Sequence, residues 1–155
     1  MSLDDFRAAL QHQNVIAFLH LIREGETNQT DRAYREMFGG VLFAAPPWVH
    51  PHRLVTVGHL TSSAAGAYQI LAATWDWLVS QYHFQDFSPA NQDLAAVALI
   101  AERGALDDVI AGHISDAVQK CRKEWASLPG AGYGQPERTV QQALATYTNF
   151  AGVLA

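Results

Sequence analysis

A chain of 155 residues suits one ordinary globular domain and is too short for two, so a single domain across residues 1–155 is expected. Hydrophobic residues at 49% and charged residues at 16% supply enough apolar material to offset chain entropy, which excludes a disordered chain. Ten Lys and Arg against fifteen Asp and Glu give a net charge of -5, which lacks the basic balance that phosphate-backbone binding needs, and nucleic acid is not expected as a partner. A lone cysteine, Cys121, allows neither an internal disulfide nor a thiolate zinc cluster, so packing must hold the fold. The first seven residues carry two acids where a secretory leader carries bases and an apolar run, and no later stretch is long and apolar enough to span a bilayer. Membrane insertion is therefore not expected, and the chain is expected to act as a monomer.

Helical periodicity dominates. Residues 3–11 form a short helix, either separate from the next one or continuous with it. With Asn14 as the N-cap, Val15, Phe18, Leu19 and Ile22 fall at i, i+3, i+4 and i+7 on one helix face, and Gly25 predicts the stop. Glu24 then sits at the C-terminal end of that helix. Two short β-rich stretches, residues 39–43 and 54–57, flank the turn-like run 46–51 and predict a small hairpin. Ser62 and Ser63 read as caps of a helix carrying Tyr68, Leu71, Trp75, Leu78 and Tyr82. Ser88-Pro89 opens another, with Leu94, Val97, Ala98 and Ala101 on one face before Gly104. A short helix over 106–111 ends at Gly112, the next aligns Ile114, Ala117, Val118, Cys121 and Trp125 before Pro129, and the last presents Val140, Ala143, Leu144 and Tyr147. Mostly helical, with one small sheet segregated in sequence, the chain reads as α+β.

Three stretches could carry chemistry. Glu24 feels the negative end of its helix dipole, which favours the protonated, proton-donating form, and the polar run after Gly25 suggests an open loop at a cleft lip. The alternative is a solvated helix-end glutamate. In residues 62–69, Ser-Ser-Ala-Ala-Gly-Ala-Tyr-Gln, small side chains would let a polymer approach, with Tyr68 to stack on a sugar ring and Gln69 to bond its hydroxyl or acetamido groups. The alternative there is an ordinary capped helix start with Tyr68 in the core. Residues 129–135, Pro-Gly-Ala-Gly-Tyr-Gly-Gln, come after a helix and not a strand, which argues against a phosphate loop. They form either a linker or a loop that carries Tyr133 and Gln135 to a ligand.

His50, His52 and His59 lack a helical His pair and a nearby cysteine, so they read as turn and surface residues and no metal is expected. No Gly-x-Ser-x-Gly elbow supports a serine nucleophile, and Cys121 lies in an apolar stripe.

Several elements stand in order along residues 14–150: Glu24-Gly25, His50-Pro51 with residues 53–56, residues 62–69, residues 86–93 (Asp-Phe-Ser-Pro-x-x-Gln-Asp), residues 102–106 (Glu-Arg-Gly-Ala-Leu) and residues 125–135. Together they resemble the lambda-phage endolysin family of lytic transglycosylases. The resemblance implies a mostly helical lysozyme-like fold with one small sheet and a glycan-binding cleft. It implies that Glu24 is the catalytic acid and that Ser62, Ser63, Tyr68, Gln69, Tyr133 and Gln135 belong to the substrate-binding stretches. In this register Glu26 takes the place of a family Thr after Glu-Gly, and Ala67 replaces a longer basic residue.

The implied substrate is the peptidoglycan glycan strand, cut at the β-1,4 bond between N-acetylmuramic acid and N-acetylglucosamine with a 1,6-anhydro product. One glutamate serves as acid and then base, without metal or cofactor. The implied setting is the host bacterial cytoplasm, with access to the wall through a holin-type pore. Arg32, Arg35 and Arg53 are expected to gather on the substrate side. Three other readings compete: a lysozyme-type hydrolase using Glu26, Asp31 or Glu36 as a second carboxyl, a noncatalytic glycan-binding module, and a helical protein-interaction domain.

Overall fold

The computed structural model describes residues 1–130 and 138–155. Among the described residues the chain forms seven α-helices and one two-stranded antiparallel sheet, the α+β class expected. Helix α1, Leu3–Ala9, is separate from the second helix; its N-terminus is closed by a reciprocal capping pair of Ser2 and Asp5. Helix α2, Gln13–Glu26, differs from expectation at both ends. His12, not Asn14, is the N-cap, and its Nδ1 accepts from the Asn14 amide at 3.2 Å. Asn14 is instead buried, donating to the Ile110 carbonyl at 3.0 Å and accepting from the Val153 amide at 2.9 Å, which pins the C-terminal segment to the fold. At the other end the helix passes through Gly25 and stops one residue later, at Glu26, because the Thr27 amide still reaches the Arg23 carbonyl at 2.8 Å.

The sheet pairs β1, Val55–Val57, with β2, Leu60–Ser62, across a turn at Gly58 and His59. The first predicted strand of the hairpin, residues 39–43, is not its partner: residues 38–40 make a 3₁₀ turn, and Leu42 makes only an isolated bridge to Glu36. A two-residue turn closes a hairpin locally and at lower entropic cost than a longer loop.

Helix α3 covers Ala72–Tyr82 and starts about ten residues after the serines expected to cap it. Residues 65–70 form a tight turn instead, bridged between Ala65 and Ile70, with positive φ at Gly66 (81°) and Gln69 (49°). Helix α4, Pro89–Glu102, is buried on nearly every side from Leu94 to Ile100 and forms the centre of the core. Helix α5, Leu106–Ala111, ends on left-handed Gly112 as expected, and α6, Ile114–Cys121, ends before Trp125, which is buried in a turn and not on the helix. Helix α7, Val140–Asn149, buries Ala143 and Tyr147 while Val140 is exposed, and packs along α2. The end of α2 is thus enclosed by the 65–70 turn, the segment after Trp125 and α7.

Candidate active site

Two glutamates leave the last turn of α2 two residues apart. At about 100° per residue they point to nearly opposite sides. Glu26 turns into a cavity of about 260 Å³ that it lines together with Glu36, Phe38, Gly39, Gln69 and Ser127. Glu24 is exposed and turns outward, accepting a hydrogen bond from Gln29 Nε2 at 3.0 Å, in an open groove with Arg138, Gln142 and Thr146 from the α7 side. Gly25 lies between the two, against Ser127. A Cβ there would fall 2.4 Å from Ser127 Oγ and 2.7 Å from its Cβ, so only glycine lets the helix end lie on this segment.

The two carboxyls therefore differ in chemistry. Burial pushes the Glu26 carboxyl above its ordinary value, and hydrogen bonds from Ser127 oppose that rise. Ser127 Oγ donates to Glu26 Oε1 at 2.7 Å and the Ser127 amide donates to the same oxygen at 3.2 Å. A carboxyl that holds its proton more firmly than an exposed one and faces a cavity has the setting that general-acid chemistry needs. Glu36, across the cavity, accepts from Asn28 Nδ2 at 2.7 Å, with Arg32 Nε at 3.9 Å. No basic side chain lines the cavity among the described residues, contrary to the expected cluster. Among the described residues Arg32 approaches it through Glu36, Arg35 is half-buried with no partner for its Nε, and Arg53 is exposed.

Behind the cavity the 65–70 turn is fixed from several directions. A Cβ on Gly66 would fall 2.3 Å from Gln92 Oε1, so glycine is required by space as well as by φ. Gln92, fully buried on α4, accepts from the Ala67 amide at 3.0 Å and donates to the carbonyls of Tyr34 and Phe87 at 2.9 and 2.8 Å. Thr27 Oγ1 donates to the Ala67 carbonyl at 2.7 Å, tying the end of α2 to the same turn. Gln69 is held over the cavity by donating to the carbonyls of Glu36 and Gly66 at 3.2 and 2.9 Å.

Asp93 Oδ1 accepts from both Tyr68 and Tyr34, at 2.6 and 2.9 Å, and Arg23 donates to Tyr34 Oη at 3.1 Å. Burial raises the Asp93 carboxyl, and the two phenols and Arg23 offset that rise.

Of the predicted site residues, Gln69 lines the cavity and Glu24 does not. Tyr68 is 1% exposed with its hydroxyl committed to Asp93, so it supports the turn from within and does not offer a stacking face. Burying a large aromatic ring in the core outweighs presenting it at a rim. Ser62 and Ser63 hold backbone, accepting from the amides of Ala64 and Ala72 at 3.1 and 3.0 Å. Tyr133 and Gln135 lie outside the described residues. His50 is buried, bonded to the Ile70 carbonyl at 2.8 Å, and His52 is paired with Asp76 at 2.7 Å. The Cys121 thiol is pushed up to about 12 by burial, which leaves it unreactive. Sequence reasoning does not single out Ser127, Gln92 or Asp93, although all three lie in motifs that carry the resemblance.

The order and spacing of these motifs match a known group along nearly the whole chain: the family model described as Endolysin covers residues 3–154. The chain belongs to the endolysin family. An endolysin of Escherichia phage P2 is 38% identical, with 93% of this chain and 96% of that protein covered. One of Escherichia phage lambda is 40% identical over 84% of this chain and 82% of the relative. The lysozyme of bacteriophage lambda, in a structure complexed with a chitohexasaccharide, superposes with a TM-score of 0.85 at 36% identity, covering 92% of this chain and 97% of that one. A second structure of the lysozyme from bacteriophage lambda gives 0.81. The endolysin thus has the lysozyme-like fold that its motifs implied.

Proposed function

We propose that this endolysin is a peptidoglycan lytic transglycosylase in which Glu26 is the acid and then the base. The observation that carries the reading is the pairing of a desolvated carboxyl at the end of α2 with an adjoining cavity and a fixed pair of donors on one of its oxygens. The Glu-Gly spacing favours Glu24 for this role, but Glu24 is exposed and faces the outer groove. The glycan bound by the lambda lysozyme supports a saccharide chain as the occupant of the cleft.

In the first step neutral Glu26 gives its proton to the oxygen bridging N-acetylmuramic acid and N-acetylglucosamine. The C1–O bond breaks, and the N-acetylglucosamine end leaves as the 4-hydroxyl. In the second step the Glu26 carboxylate accepts the proton of the muramyl 6-hydroxyl as that oxygen closes on C1, giving the 1,6-anhydro ring and restoring neutral Glu26. One carboxyl suffices because the substrate supplies the nucleophile, and neither metal nor cofactor enters the steps. Gln69, Tyr133 and Gln135 are proposed to contact the glycan, with the chain reaching the wall from the host cytoplasm through a holin-type pore.

A second reading has its own observation: Glu36 lines the same cavity, and a hydrolase of the lysozyme type needs a second carboxyl to activate water or to attack C1. Mass spectrometry of digested sacculi separates the two. Anhydro-muramyl ends support the transglycosylase; reducing muramyl ends that have gained water support the hydrolase. Binding to sacculi without soluble fragments would reject both in favour of a glycan-binding module.

A further inference from the structure

The two oxygens of the Glu26 carboxyl are in unequal surroundings. Oε1 receives both donors of Ser127, the hydroxyl at 2.7 Å and the backbone amide at 3.2 Å. A hydroxyl can rotate and accept instead, but an amide N–H can only donate. A hydrogen on Oε1 would face that amide head-on, which leaves Oε2 as the oxygen that carries the proton in the neutral acid. Ser127 is buried and held on both sides: its carbonyl accepts from the Arg138 amide at 3.0 Å, and nearby Trp125 donates its indole N–H to the Tyr68 carbonyl at 3.0 Å. The donors on Glu26 and the turn carrying Gln69 therefore move as one frame.

We propose that Ser127 is a positioning residue that reserves Oε1 as an acceptor and thereby assigns the transferable proton to Oε2, and that glycine is required at position 25 because the close approach of Ser127 leaves no room for a Cβ. This rests on the reading of Glu26 as the acid. The same contact tunes the acid as well as aiming it: burial alone would make Glu26 a weak acid, and the two donors stabilise the carboxylate that must form in the first step. Among the described residues, the other charged groups facing this carboxyl are Glu36 across the cavity and, beyond Gly25, Glu24 and Arg138; the Asp93 cluster lies behind the turn.

The test compares the full chain with Ser127→Ala, Ser127→Cys and Gly25→Ala on purified sacculi, reading kcat, KM, the pH profile and Tm. Removing the hydroxyl lowers kcat about tenfold or more with little change in KM, and moves the alkaline limb of the profile upward by about half a unit or more, because the neutral form persists to higher pH. Ser127→Cys fills the same space with a weak donor and shifts the limb in the same direction, which separates loss of the strong hydroxyl donor from loss of packing. Gly25→Ala lowers kcat similarly by displacing Ser127; adding Ser127→Gly to it recovers Tm but not kcat. An alkaline limb and kcat unmoved in both Ser127 variants would overturn this proposal while leaving Glu26 as the acid. Full activity in Glu26→Gln would instead overturn the reading beneath it.

Discussion

The last turn of α2 has two sides that the sequence makes look alike. Each carries a glutamate next to Gly25, yet on the cleft side Glu26 is desolvated, doubly bonded by Ser127 and backed by buried polar groups, whereas on the outer side Glu24 is exposed and accepts from the Gln29 amide. A step of two residues on a helix decides which carboxyl works in water and which works against a low-dielectric wall. The helix dipole acts on both to a similar degree, so desolvation, and not the dipole, distinguishes them.

Substitutions that attack the cleft side and spare the outer side should separate the two. The largest stability loss is expected from Gly66→Ala, where a left-handed backbone and the 2.3 Å approach to Gln92 combine; about 3 kcal/mol or more should be lost in denaturant unfolding, with activity lost too. Asp93→Ala strands two buried phenols and should cost about 2–4 kcal/mol, read the same way, with Gln69 loosened over the cavity.

On the outer side, Arg138→Ala removes donors to the Leu21 and Gln142 carbonyls and should cost about 1–2 kcal/mol while leaving the pH profile of catalysis in place.

A smaller and pH-dependent effect distinguishes the carboxyls themselves. Burial raises the folded Glu26 carboxyl above its ordinary value of 4.5, so the folded chain holds the proton more firmly than the unfolded chain. Its contribution therefore improves as pH falls through the raised folded value and levels off below the ordinary one. Glu26→Gln should be more stable than the parent at pH 7 by thermal melting, with the gain closing as pH falls toward 4. Glu24→Gln should stay within about 0.5 kcal/mol of the parent at either pH.

Much of the fold is legible because amphipathic periodicity and glycine stops report directly on packing: α4, α5 and α7 lie where Leu94 to Ala101, Gly112 and Ala143 with Tyr147 put them. The segments that mislead lack periodicity. Residues 62–71 look like a capped helix until Gly66 and Gln69 are seen in left-handed conformations that tertiary bonds from Gln92 and Thr27 enforce. The hairpin is half legible, since β1 lies in a predicted strand while its partner lies just downstream across Gly58.

At the site, Gln69 is legible from its motif, whereas Glu26 reads from the sequence only as a second carboxyl. The proposed choice of Glu26 over Glu24 rests on the helix continuing through Gly25 and on the contact of Glu26 with Ser127, about one hundred residues away in the chain, and neither is visible in the local sequence.

The most direct measurement is the rate at which Glu26→Gln and Glu24→Gln, each confirmed folded by melting, release soluble fragments from purified sacculi. Loss of about a thousandfold or more in Glu26→Gln beside near-parental release by Glu24→Gln is the result expected. The reverse pattern would contradict the account.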